Sequence, residues 1–207
     1  MKHDGIPVRV VARIRCAWQR AGLAGCLLVL LTVPTPARAA TIEGVTFVDR
    51  IESNGTVLTV SCTALLRWYL IKAYVAALYL APGASGETAL ADVPKRLEIN
   101  YFWDIAGDDI GPAGEKVLRQ NVDDATFEAL KPRLQKIGDL YEDVRPGDRY
   151  SLTYLPGRGT ELALNGQPKG VIEGADFAQA YFQIWLGPSP IDASFRDRLL
   201  SCPDRAG

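Results

Sequence analysis

Two cations, Arg67 and Lys72, stand inside the apolar run 65–80, which is rich in aromatic and β-branched residues and holds neither Gly nor Pro. A charge in such a segment is costly unless something pairs with it. Two arrangements meet that cost. Either both cations lie at the surface with their stems along apolar neighbours, or Arg67 waits in a pocket for an anionic ligand, to which a guanidinium offers a planar fork of donors. Histidine chemistry is the counter-case. The single histidine, His3, falls in a segment expected to be removed. The mature chain is therefore expected to hold no Ser-His-Asp triad, no Cys-His pair and no histidine-ligated metal. No cofactor and no metal site is expected from the rest.

The N-terminal segment reads as a secretory signal. Lys2, Arg9, Arg13, Arg15 and Arg20 precede the apolar run 22–33, and Ala37-Arg38-Ala39 is a small-x-small cleavage site. The run is short for a membrane-spanning helix. Leu23-Ala24-Gly25-Cys26 has the look of a lipidation site, but the apolar core follows that cysteine instead of preceding it. There is no twin arginine, which favours the general secretory route. Residues 1–39 are thus expected to be a signal peptide. Residues 40–207 are expected to be one periplasmic or secreted domain of 168 residues, with no integral membrane segment left after cleavage.

Cleavage removes six of the 23 basic residues and one of the 24 acidic ones, leaving 17 against 23, a net charge of −6. No basic patch suggests nucleic acid, and the sign opposes charge-driven attachment to anionic membranes. Two of the four cysteines remain, Cys62 and Cys202. In an oxidising compartment they are expected to form one disulfide, the alternative being two separate buried thiols.

The elements that must position these groups follow from periodicity and turn residues. Ile42, Val45, Phe47 and Ile51 alternate with polar residues and read as a strand with an irregularity at Gly44. Ser53-Asn54-Gly55 turns it into a second strand, 56–62. The run 65–80 reads as a further strand, stopped by Pro82-Gly83. A short helix is expected over 86–93 and a strand over 96–105, with Leu97, Ile99, Tyr101 and Trp103 on one face. Residues 108–112 read as a loop leading into a helix through 114–118. Asp123 and Asp124 cap the next helix, whose Phe127, Leu130, Leu134 and Ile137 recur at helical spacing as a core stripe. Pro146-Gly147, Gly157 and Asn165-Gly166 divide 150–172 into a three-stranded meander. The helix 174–186 carries Phe177, Ala178, Tyr181, Phe182 and Trp185 on one stripe and ends at Gly187-Pro188; a last helix covers 192–200. Strands, helices, strands and helices in that order predict an α+β fold with one antiparallel sheet and helices on one face.

Two stretches carry a resemblance to a known family. One is Leu66-Arg67 with Ile71-Lys72-Ala73-Tyr74-Val75-Ala76-Ala77-Leu78-Tyr79-Leu80. The other is Leu164-Asn165-Gly166 followed by Gly170-Val-Ile-Glu-Gly-Ala-Asp-Phe-Ala-Gln-Ala-Tyr-Phe-Gln-Ile-Trp-Leu-Gly187 and Pro190, with weaker support from Gly114-Glu115-Lys116-Val117. Together they resemble the chalcone isomerase-like family, in its bacterial secreted branch. The resemblance implies an open-faced β-sandwich, a large antiparallel sheet covered by a layer of helices, with the ligand between the two.

It implies two activities. Plant members cyclise chalcones with an arginine, a strand threonine, a tyrosine, an asparagine and a late threonine. Non-catalytic members bind fatty acids, clamping the carboxylate with the arginine and a tyrosine. Carried onto this chain, the arginine is Arg67 and the strand threonine falls on Tyr74, as in the binders. The catalytic tyrosine falls on Ala113, the asparagine near Gln120 or Asn121, and the late threonine around Lys169. The expected function is therefore non-catalytic binding of a fatty acid or similar apolar carboxylate. Arg67 and Tyr74 would anchor the head, and Phe177, Tyr181 and Trp185 would line the tail. The alternatives are an intramolecular lyase acting on a conjugated ketone through Arg67, Tyr74 and Asn121, and an envelope interaction module without ligand that presents Trp103, Trp185 and an acidic surface. One geometric condition attaches to the clamp. Arg67 and Tyr74 are seven apart and take opposite faces of a regular strand, so a bulge or tight turn between Trp68 and Leu70 is required.

Overall fold

The computed structural model describes residues 39–201. The expected signal segment, up to residue 38, and Cys202 lie outside the described residues. Strands β3 (Arg50–Ser53), β4 (Thr56–Trp68), β5 (Ile71–Leu80), β6 (Lys95–Tyr101), β7 (Arg149–Leu155), β8 (Gly159–Leu164) and β9 (Gln167–Ile172) form one seven-stranded antiparallel sheet. Each strand lies beside its sequence neighbour, so β3 and β9 are the edges. Strands β1 (Ala39–Ile42) and β2 (Val45–Val48) make a separate hairpin. Helices α1 (Gly107–Leu118), α2 (Asp124–Gly138), α3 (Ala175–Tyr181), α4 (Gln183–Leu186) and α5 (Ala193–Leu200) complete the described chain.

Several boundaries differ from the sequence reading, each for a local reason. The expected strand 41–51 is divided among three strands: Glu43 and Gly44 both adopt positive φ, 51° and 80°, and turn β1 back on β2, and a bend at Asp49 separates β2 from β3. The apolar run 65–80 is not one strand but the end of β4, a turn at Tyr69-Leu70, and β5. Residues 86–93 form only a 3-10 turn, Gly86–Thr88. Strand β6 stops at Tyr101, so Trp103 leaves the face of Leu97 and Ile99 and stands exposed. Helix α1 begins at Gly107 and runs through Pro112, and the helix expected over 174–186 divides at Phe182.

The sheet buries both faces, unequally. Along β5, Tyr74, Ala76, Leu78 and Leu80 face the main core under the helices, while Val75, Ala77 and Tyr79 face a smaller core with Phe47 and Leu58 under the β1–β2 hairpin. A strand covered on both sides loses polar alternation, which is why 73–80 reads as continuously apolar. The hairpin side also carries a charged network. Glu98 accepts from Arg96 Nη2 at 2.7 Å and Arg149 Nη1 at 3.3 Å, and Arg149 reaches Thr46 O at 3.2 Å, tying the hairpin to the sheet. On the helix side, Asp143 Oδ1 accepts from Gly107 N at 2.9 Å and caps α1 from a distant loop. A Cβ at Gly107 would lie 2.7 Å from the Glu142 backbone, so only glycine lets the helix start this close. That cap holds α1 over the sheet.

Candidate functional site

Between the sheet and helices α1 and α4 lies a cleft of about 250 Å³. Leu66, Ala73, Tyr74, Ile99 and Tyr101 form its sheet wall, and Ile110, Ala113, Gly114, Ile184 and Trp185 its helix wall. Tyr141 and Tyr181 close one side, and Trp68, Ile191 and Asp109 stand at its rim. Ala73 and Tyr74 both reach this wall because the β4–β5 register slips between Leu66 and Arg67, leaving Ala73 as an extra residue.

The polar groups inside are phenols. Trp185 Nε1 donates to Tyr74 Oη at 3.2 Å, and the Tyr141 and Tyr181 hydroxyls share a hydrogen bond of 2.8 Å. Tyr101 lies against Tyr74 with ring centroids 5.7 Å apart and edge-on geometry. No side chain among the described residues hydrogen-bonds the Tyr101 hydroxyl. Burial pushes the phenols of Tyr74, Tyr101, Tyr141 and Tyr181 above their ordinary range, so all four stay protonated and act as neutral donors. No Lys or Arg lines the cleft, and its one carboxylate, Asp109, is exposed at the rim. Such a site is able to hold an oxygen acceptor inside an apolar enclosure.

The sequence-derived anchor pair is not assembled. The required turn is present, at Tyr69-Leu70, but the register pairs Leu66 with Tyr74 and Arg67 with Lys72. Cross-strand partners share a face, so Tyr74 enters the cleft and Arg67 points to the opposite side of the sheet. There Glu43 accepts from Lys72 Nζ at 2.5 Å and from Arg67 Nη2 at 3.5 Å. This is the surface arrangement of the two weighed for these cations, with a carboxylate added from the β1–β2 hairpin. The paired cations hold the Glu43 carboxyl below its usual range, Lys72 foremost.

Tyr181 and Trp185 line the cleft as expected, whereas Phe177 does not. One helical turn before Tyr181, Phe177 stacks on that ring at 5.1 Å, with Arg133 over it at 5.8 Å, and serves as backing. Asn121 is not in the cleft either. Its Nδ2 donates to Val117 O at 2.9 Å and Ser189 O at 2.7 Å, and its Oδ1 accepts from Ser189 N at 2.9 Å, fastening the end of α1 to the loop before α5. Lys169 pairs with Glu142 at 2.7 Å. Trp185 is buried and so unavailable as an external contact surface. Sequence reasoning missed Tyr101 and Tyr141 as site residues. Tyr101 shares the inward parity of Leu97 and Ile99, a usable signal. Tyr141 follows the end of α2 in a loop and carries none.

The chalcone isomerase-like pattern matches residues 39–201, and the chain belongs to that family. No curated protein matches it in sequence. Among solved structures it is similar to a fatty-acid-binding protein of Arabidopsis thaliana, at 13% identity and a TM-score of 0.64, over 79% of this chain and 96% of that one. The fold is therefore chalcone isomerase-like: a curled antiparallel sheet with helices packed across one face, matching the layered α+β arrangement expected from the sequence.

Proposed function

We propose that this chain is a non-catalytic binding protein whose cleft takes a small apolar molecule with one oxygen-bearing head, a fatty acid or similar apolar carboxylic acid. The observation that carries the reading is the make-up of the cleft: apolar walls, protonated phenols and no cation. The Tyr101 hydroxyl receives the head, with the proton of Tyr74, which the Trp185 bond leaves unspent, as second donor. Arg67 takes no part. Phenols alone compensate a full negative charge poorly, so the preferred form of the ligand is the neutral acid or another carbonyl compound. The cleft, at about 250 Å³, lies just under the ~300–1,000 Å³ of typical small-molecule sites, and a longer tail emerges past Trp68 and Ile191.

The fatty-acid-binding character of the similar plant protein supports this reading. The dispersal of Arg67, Tyr74 and Asn121 argues against cyclisation of a chalcone. The export signal over 1–39, a periplasmic or secreted location and a Cys62–Cys202 disulfide are part of the same proposal. They rest on the sequence features given above.

The test is organic extraction and mass spectrometry of protein recovered from the periplasm of an expressing host, with titration of fatty acids of increasing length. A bound or titratable acid, displaced when Ala113→Phe fills the cleft from its helix wall, is expected. A protein that carries no lipid and binds none across the series, with circular dichroism intact, overturns the reading.

A further inference from the structure

The β4–β5 hairpin ends in an unusual tip. Trp68 is 71% exposed, Tyr69 90%, Leu70 93% and Ile71 51%, and Trp103, 55% exposed, stands beside them. Turns are ordinarily built from Gly, Asn, Asp or Pro. Here the turn is made of large apolar residues, with Tyr69 at φ +53°, a conformation that bulky residues rarely adopt. Nothing in the turn's own geometry calls for these side chains. Trp103 is fixed next to them, its Nε1 donating to Lys72 O at 2.7 Å. Below the tip, Arg67 and Lys72 flank the apolar residues, and Glu43 offsets one of their two charges.

We propose that this tip docks the protein on a phospholipid bilayer, with Tyr69 and Leu70 entering the acyl boundary, Trp68 and Trp103 at the interface, and Arg67 and Lys72 at the level of the phosphates. The chemistry matches in order of depth. Aliphatic side chains occupy the apolar zone, amphipathic aromatics favour the interface, and long cations reach back to the headgroups. The tip is continuous with the cleft, since Trp68 belongs to both and Ile191, also exposed, stands at the same rim. A lipid leaving the bilayer along the Trp68 ring enters the cleft without crossing water. That purpose rests on the ligand reading; the docking does not.

Net attraction comes from apolar insertion. With a single unmatched positive charge at the tip and a negative chain overall, binding to zwitterionic vesicles is expected to be nearly as strong as to anionic ones. In this the tip departs from charge-driven attachment, which the composition opposes.

The experiment is flotation of periplasmic protein with phosphatidylcholine vesicles, with and without phosphatidylglycerol, and quenching of tryptophan emission by brominated lipid. Wild type is expected to float and to be quenched. The double variant Tyr69→Asn, Leu70→Glu, confined to exposed positions, is expected to lose at least roughly tenfold in partitioning, the scale of one buried leucine. Unchanged circular dichroism shows that the variant is folded. Wild-type protein that stays at the bottom of the gradient overturns the proposal, as does a variant that floats equally well. Flotation only with protein-containing native membranes assigns the tip to a protein partner and also overturns it. So does a dimer dissolved by Leu70→Glu with no vesicle binding. Extracted lipid is measured on the same samples. Protein that carries ligand but does not float sinks the docking alone, and protein that floats but never carries ligand sinks the cleft reading alone.

Discussion

The indole of Trp185 donates to the Tyr74 hydroxyl at 3.2 Å, joining helix α4 to strand β5 across the floor of the cleft. The same tyrosine packs edge-on against Phe195 of α5, with centroids 5.6 Å apart. Tyr74 is therefore both a donor into the cleft and a fastener between layers. Replacing it would mix lost affinity with a stranded indole N–H, at about 1–3 kcal/mol. Tyr101, whose hydroxyl has no side-chain partner among the described residues, is the cleaner probe.

Tyr101→Phe is expected to weaken fatty-acid binding about fivefold, the scale of one hydrogen bond, and to leave thermal stability nearly unchanged. Arg67→Ala is expected to leave affinity within about twofold, because exposed ion pairs contribute little and this one faces away from the cleft. Isothermal titration of both variants decides it. A large loss in Arg67→Ala with none in Tyr101→Phe would return the anchor to the arginine.

Asn121→Ala is expected to destabilise the fold by about 1–3 kcal/mol, since it leaves the amide and carbonyl of Ser189 without their partner. Urea titration measures the cost. Ligand affinity at low denaturant should hold, which distinguishes a fastener from a member of the site.

Lys95 makes stability depend on alkaline pH. Its side chain is fully buried, donates to Ala91 O at 2.6 Å and lies 5.0 Å from the centre of the Tyr154 ring. Desolvation lowers its pKa from 10.5 to about 8. The unfolded chain thus binds more protons between those values, and stability rises with pH through that window. The buried phenols act in the opposite sense once the unfolded chain begins to lose their protons, near pH 10. From pH 8 to about pH 9.5 a gain of about 1–2 kcal/mol is expected in chemical denaturation. Lys95→Met should abolish it, and a flat profile in the wild type would contradict the assignment.

Cys62 and Cys202 are expected to pair on export. Intact mass under non-reducing and reducing conditions should differ by two hydrogens, and a tryptic map should join the two peptides. Free thiols at both positions in periplasmic protein would refute the pairing. Reduction is expected to cost up to about 4–5 kcal/mol for a loop this long.

Much of the architecture was legible where turns are punctuated. Asn165-Gly166 and Gly157 delimit β7, β8 and β9, and the Phe127–Leu130–Leu134–Ile137 stripe is buried on α2 as read. The hairpin tip was not legible, because Trp68 to Ile71 contain no turn-forming residue and an apolar run without Gly or Pro reads as strand. The site failed at the same place. A turn and a one-residue slip decide which face each side chain takes, and neither leaves a trace in periodicity. The partner of Arg67 and Lys72, Glu43, lies in another hairpin, beyond the reach of local pattern. Tyr101 had the right parity and lacked only a reason to be singled out.

The sheet is open, with β3 and β9 unpaired to each other, and so it keeps two rims that could recruit other chains. This molecule blunts both. Strand β3 is only four residues long. Strand β9 contains Pro168, which lacks a ladder donor, and its Val171 carbonyl is taken by Lys136 of α2 at 3.0 Å. Left open, such borders would pair with other copies of the chain. Pro168→Val combined with Lys136→Ala is expected to produce concentration-dependent assemblies in light scattering, and a persistently monodisperse variant would show that the borders are guarded by something else.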